Sequence, residues 1–334
     1  MNTKKTIFLK IFILIMSIMF AFIITEILLN WTEKNHFLNY SNIIYTQDNF
    51  LRELYFEGYE FSKDLGWIST QVQSELKENN QKTNNPNIIL FIGDSVTEGA
   101  CVEESYSVKL SKQMNNEKQN YKIINLGVSG YNSFQEKILL EKTDFKTSII
   151  VLGFFSNDYI NTPIFIKKDD EIIGINNLFY EYKFKNVISK IILSSKFFKL
   201  AYQILIQKNP CFENPENIIC LNHNKNKIIK EIKEIKNLSD KKNSELIIIH
   251  IPTPVLTKNN MTFYYENNKF NSALLKNITN QLGIHFIDMI HEFQKNDVLS
   301  GKINCEPIDN HPNELGHELI AKKLYKYITE RNLI

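Results

Sequence analysis

Five short apolar runs, each followed by a longer stretch of helical periodicity, constrain the fold of this chain more than any other feature. The runs fall at 87–92, 122–127, 148–153, 245–250 and 284–288. They are rich in Ile, Leu, Val and Phe and do not alternate with polar residues, the pattern of strands covered on both faces. Helical patterns follow at 104–116, 133–143, 225–241, 266–281 and 313–330. Alternation of strand and helix implies a parallel sheet with right-handed crossovers. The expected fold is α/β, a three-layer α/β/α sandwich around a central sheet of about five strands. In such sheets ligands bind beyond the carboxyl ends of the strands.

Polar clusters sit at those ends. Gly93-Asp94-Ser95 follows the run Ile88 to Ile92, Asn125 to Gly130 closes the second run, and Gly153 to Asp158 closes the third. Asp309-Asn310-His311-Pro312-Asn313 precedes the last helical pattern. A strand ending in a tight turn with a serine is a way to lift a hydroxyl nucleophile above a sheet. Taken singly, Gly127 and Gly130 read as turn glycines, Asn157-Asp158 as a helix cap, and Glu314 and His317 as first-turn helix residues. His36, His223, His250, His285 and His291 carry no partner pattern.

Taken together, the order Ser95, Gly127, Asn157, His311 resembles the SGNH (GDSL-type) hydrolase family over roughly residues 86 to 330. The resemblance implies a flavodoxin-like SGNH fold and a serine hydrolase acting on ester bonds. One spacing departs from the family pattern. The family places its acid and histidine as D-x-x-H, whereas Asp309 and His311 form D-x-H, as in membrane-associated relatives that O-acetylate polysaccharides. A serine hydroxyl needs a base within hydrogen-bond reach and a third group to orient that base. His311 is the expected base and Asp309 the expected orienting acid, with Glu306 a weaker alternative. Pro312 biases His311 toward extended backbone, and Asn313 can cap the helix that follows. The expected oxyanion donors are the backbone N–H groups of Ser95 and Gly127 and the side-chain amide of Asn157. No metal site and no cofactor is implied; the chain contains no C-x-x-C and no H-E-x-x-H.

The amino terminus carries the second clear signal. Ile11 to Thr25 is free of charge, and the apolar stretch from residue 6 to 29 is long enough to cross a bilayer core. Lys4, Lys5 and Lys10 favour a cytoplasmic amino end, and Trp31 stands where an interfacial aromatic belongs. The expected arrangement is a membrane anchor over 1–30, a juxtamembrane segment and linker over 31–85, and a catalytic domain over 86–334 with an inserted helical region at about 160–223. A cleavable signal peptide is the alternative for the anchor. The protein is then expected in the cytoplasmic (inner) membrane, single-pass, with the catalytic domain outside. Asp64-Leu65-Gly66-Trp67 reads as part of a small strand pair that packs Trp67 on the domain. Cys211 with Cys220, and Cys101 with Cys305, could form disulfides in an exported protein; four free thiols are equally compatible with the spacing.

With 334 residues, 43% of them hydrophobic, the chain can bury a full core. A net charge of +2 gives no electrostatic pull toward nucleic acid. The expected partner is an ester-bearing small molecule or glycan. Three functions fit these residues: an esterase of extracytoplasmic O-acyl groups on glycans or lipids, an O-acyltransferase using the same site on an envelope polysaccharide, and a catalytically silent glycan- or protein-binding module.

Overall fold

In the computed structural model the five apolar runs are five parallel strands of one sheet. The structure describes residues 3–34, 58–62, 64–80, 87–119, 121–159, 164–168, 171–175, 195–198, 200, 218–253, 261–297, 305 and 311–334. The chain divides into two compact units, one made of Met1–Leu54 with Pro163–Glu213, the other of Tyr55–Thr162 with Asn214–Ile334.

The second unit opens with an antiparallel pair, β1 (Tyr59–Ser62) and β2 (Gly66–Ser69), and helix α1 (Thr70–Asn80). The sheet follows: β3 (Ile88–Gly93), β4 (Lys122–Gly127), β5 (Ile149–Phe154), β6 (Glu245–His250) and β7 (His285–Asp288). Between them run α2 (Ser95–Glu98), α3 (Tyr106–Asn116), α4 (Ser133–Glu141), α5 (Ile218–Lys241), α6 (Met261–Leu282), α7 (Ile290–Asp297) and α8 (Glu314–Glu330). The spatial order is β4-β3-β5-β6-β7. The first crossover steps one way from β3, and the second returns past it to β5. This is the flavodoxin-like order, with its switch point between β3 and β5.

Burial explains the uninterrupted runs. Every residue of β3 and of β5 is buried. Ile89 and Phe91 face a core shared with Tyr106, Leu110 and Met114 of α3 and Ile320, Leu324 and Ile328 of α8. Successive strand residues point to opposite faces, so Leu90 and Ile92 serve the other layer. There α5 packs between α4 and α6 and buries Ile228, Ile232 and Ile235.

The expected strands coincide with the observed ones to within a residue. The helix expected from 225 begins at Ile218. Three helices were not expected, α1, the one-turn α2 and α7. From Lys77 the sequence reads as polar linker, yet helix α1 runs on to Asn80 and buries Val72, Leu76 and Asn79 on one stripe. Residues 59–80, expected as part of a juxtamembrane segment and linker, pack on the sheet domain. Gln135 Nε2 donates to the Leu65 carbonyl at 2.6 Å, and Lys122 Nζ to Asn79 Oδ1 at 2.6 Å.

The first unit holds a long helix, Thr3–Lys34. Its stretch Leu9–Thr32 is long and apolar enough to cross a membrane, and Ile13, Phe20 and Ile27 are exposed. Its 24 residues span about 36 Å, against about 30 Å of bilayer hydrocarbon. Glu26 is the acidic residue within that stretch. It accepts the backbone N–H groups of Lys196 (2.7 Å) and Phe197 (3.0 Å) and the Ser195 hydroxyl (3.0 Å). Phe22 packs its ring on Phe197 and Phe198, each at 5.4 Å. Within the region expected to be a helical insertion, Ile164–Lys168 pairs antiparallel with Glu171–Ile175. Most of the helical region expected at about 160–223, and Cys211, lie outside the described residues.

Candidate active site

The strand β3 ends where Gly93 must be glycine. A Cβ there would lie 2.0 Å from Thr97 Oγ1. The chain then turns at Asp94, whose carboxylate accepts the Val96 N–H at 3.0 Å and caps α2. Ser95 is the first residue of that one-turn helix, held at the carboxyl end of β3 beside the switch point. Its backbone N–H donates to no described group.

Ser95 Oγ lies 2.7 Å from His311 Nε2. With the ring proton on Nδ1, Nε2 accepts the hydroxyl. The His311 ring stacks beside Phe155, centroids 6.4 Å apart. Three ties fix the loop that carries it. A disulfide joins Cys101 to Cys305, and the Cys305 N–H donates to the His311 carbonyl at 3.1 Å. Asn313 caps α8 through the N–H groups of Leu315 and Gly316. Glu314 accepts the N–H groups of Glu103 (2.7 Å) and Glu104 (3.2 Å) and pairs with Lys109 at 2.5 Å. Asp309 and Glu306 lie outside the described residues.

Asn157 follows β5 in a one-turn 3-10 helix, Ser156–Tyr159. Its Nδ2 donates to the Tyr131 carbonyl at 2.9 Å, which brings it to the loop after β4. In that loop the structure corrects one expectation. Gly127 is not a free donor, because its N–H donates to Asn125 Oδ1 at 2.9 Å. It is glycine for packing, since a Cβ there would lie 2.2 Å from the Glu98 nitrogen. Gly130, with φ at 77°, has an N–H that meets no partner among the described residues.

The sequence profile of the GDSL-like lipase/acylhydrolase family matches residues 91–319 of the chain. The chain belongs to that family. It is an ester-hydrolysing enzyme of the SGNH type. No curated protein matches it. Solved structures similar to it include TesA (11% identity, 74% of this chain, 100% of that chain, TM-score 0.45) and the acetyl xylan esterase AlAXEase (12%, 72%, 99%, 0.45). Axe2, an acetylxylan esterase from Geobacillus stearothermophilus, is similar at 13% identity over 74% of this chain and 96% of that one, with a TM-score of 0.45.

In this GDSL-like enzyme several carboxyls lie buried behind the nucleophile turn. Burial pushes Asp94 up to about 6, against the Val96 N–H and the His311 ring, which favour its ionised form. Glu136 and Asp158 are raised well above the usual carboxylate range by burial, and each sits in the field of Asp94. Asp158 nevertheless has a structural task, accepting the Phe155 N–H at 2.8 Å and so shaping the Asn157 turn. Burial lowers His317 to about 4, so it is a neutral acceptor for the Tyr106 N–H at 3.0 Å. Sequence reasoning passed over Glu314 and His317 because their partners are more than two hundred residues away. His250 likewise has a partner, Asp288 Oδ1 at 3.0 Å, on the neighbouring strand.

Proposed function

We propose that this protein is a membrane-anchored serine esterase that works through an acyl-serine at Ser95, on O-acyl esters of extracytoplasmic glycans or lipids. The 2.7 Å contact between Ser95 Oγ and His311 Nε2 carries this reading. As Oγ attacks the ester carbonyl carbon, its proton passes to Nε2. The oxyanion is met by the N–H of Ser95, the N–H of Gly130 in place of Gly127, and the amide hydrogen that Asn157 does not give to Tyr131. The imidazolium then protonates the leaving alkoxide as the C–O bond breaks. Water, deprotonated by the same Nε2, releases the acid and restores Ser95. Asp309 holds the imidazole in the tautomer this requires. The long apolar helix supports a placement outside the cytoplasmic membrane, single-pass, amino end inside.

The D-x-H spacing of Asp309 and His311 favours a second reading, transfer of the acyl group to a sugar hydroxyl. Hydrolysis of an acetylated oligosaccharide with an unacetylated one added separates the two. Free acetate alone supports the esterase, and acetate appearing on the added glycan supports the transferase. Loss of both activities in Ser95→Ala and in His311→Ala is expected. Retention of either in Ser95→Ala would refute the shared site.

A further inference from the structure

Ser129, whose carbonyl begins the peptide to Gly130, is gripped by side chains from two elements remote in sequence. The indole Nε1–H of Trp67, on β2, donates to the Ser129 carbonyl at 2.8 Å. One carboxylate oxygen of Glu98, at the end of α2, accepts both the Ser129 N–H at 2.7 Å and the Ser129 hydroxyl at 2.5 Å. Its other oxygen accepts the Tyr59 hydroxyl at 2.6 Å, so the carboxylate is itself held by β1. Trp67 is buried, 4% exposed, and its ring meets Tyr131 edge-on at 5.8 Å. The Tyr131 hydroxyl returns a hydrogen bond to the Trp67 carbonyl.

A trans peptide is planar, with its C=O and the next N–H pointing in opposite directions. Drawing the Ser129 carbonyl toward Trp67 therefore turns the Gly130 N–H away from Trp67. That N–H has no partner among the described residues. Two residues along from Ser129, the Tyr131 carbonyl accepts the Asn157 amide. Simple packing of Trp67 would need neither the bond to Ser129 nor the three donors converging on Glu98.

We propose that Trp67 and Glu98 are positioning residues that orient the Ser129–Gly130 peptide so that the Gly130 N–H is aimed at the oxyanion. This rests on the serine-esterase reading of the site. A donor fixed before reaction costs no reorganisation in the transition state, whereas a swivelling peptide loses that advantage.

The test uses the full chain in detergent, with p-nitrophenyl acetate as substrate and an alkyl boronate as the tetrahedral mimic. Trp67 is replaced by Phe, and separately by its benzothienyl analogue, in which sulfur takes the place of the ring N–H and packing is kept. Glu98→Gln and Ser95→Ala run beside them. In the sulfur analogue kcat is expected to fall on the order of 10- to 100-fold with KM unchanged. Boronate affinity is expected to fall in step with kcat/KM, since only transition-state binding is lost. Wild-type kcat in the folded sulfur analogue, or a lower kcat with unchanged boronate affinity, would overturn the inference while Ser95→Ala stays inactive. Activity in Ser95→Ala would instead overturn the site reading on which the inference stands.

Discussion

Asn157 gives an amide hydrogen to the Tyr131 carbonyl, and the proposed site draws on the same side-chain amide for the oxyanion. Losing such a donor typically costs on the order of 100- to 1,000-fold in turnover. Asn157→Ala is expected to lose kcat in that range while its thermal midpoint holds; unchanged turnover would remove Asn157 from the oxyanion site. His317 makes a prediction about pH. Burial lowers the folded imidazole to about 4 from 6.5, so between those values the unfolded chain binds the proton and the folded one does not. The stability this group contributes is present above pH 6.5 and is lost as pH falls toward 4. In His317→Gln, the fall in thermal midpoint between pH 6.5 and 4.5 is expected to be smaller than in the wild type. An identical fall would mean that other groups dominate the acid limb.

The loop that carries His311 is tied to the nucleophile's neighbourhood by the Cys101–Cys305 disulfide across 204 residues of sequence. Cys305→Ser is expected to lower stability by roughly 2–5 kcal/mol. It is also expected to lower kcat on the order of tenfold or more, because His311 is then held less firmly against Ser95. Denaturant unfolding and steady-state kinetics measure the two effects; an unchanged kcat would mean the helix cap and Glu314 suffice to hold the loop. The elements most legible in the sequence were those whose own residues decide them. The five runs are strands because both faces are buried; Ser95 and Asn157 could be placed by where those strands end, and His311 by its place before the last helix. Elements stabilised by distant partners were not legible. Helix α1 is polar over most of its surface, and the β1–β2 pair owes its place to Trp67 reaching Ser129. Gly127 and Gly130 look alike in sequence. Only the folded loop reveals that Asn125 occupies the first N–H and leaves the second.

At the scale of the whole molecule, an ester hydrolase domain is joined to a helix long and apolar enough to cross a bilayer. An uncleaved anchor predicts that the full chain stays in the membrane pellet after an alkaline carbonate wash and that its intact mass includes residues 1–30. Release by carbonate, or a mass lacking those residues, would favour a cleaved signal. The central claim, that Ser95 is a nucleophile activated by His311, is tested most directly by intact mass after exposure to a fluorophosphonate. One adduct on the wild type, none on Ser95→Ala and much slower labelling of His311→Ala is the predicted result. A folded wild type that takes no adduct, or a Ser95→Ala chain that still takes one, would contradict it.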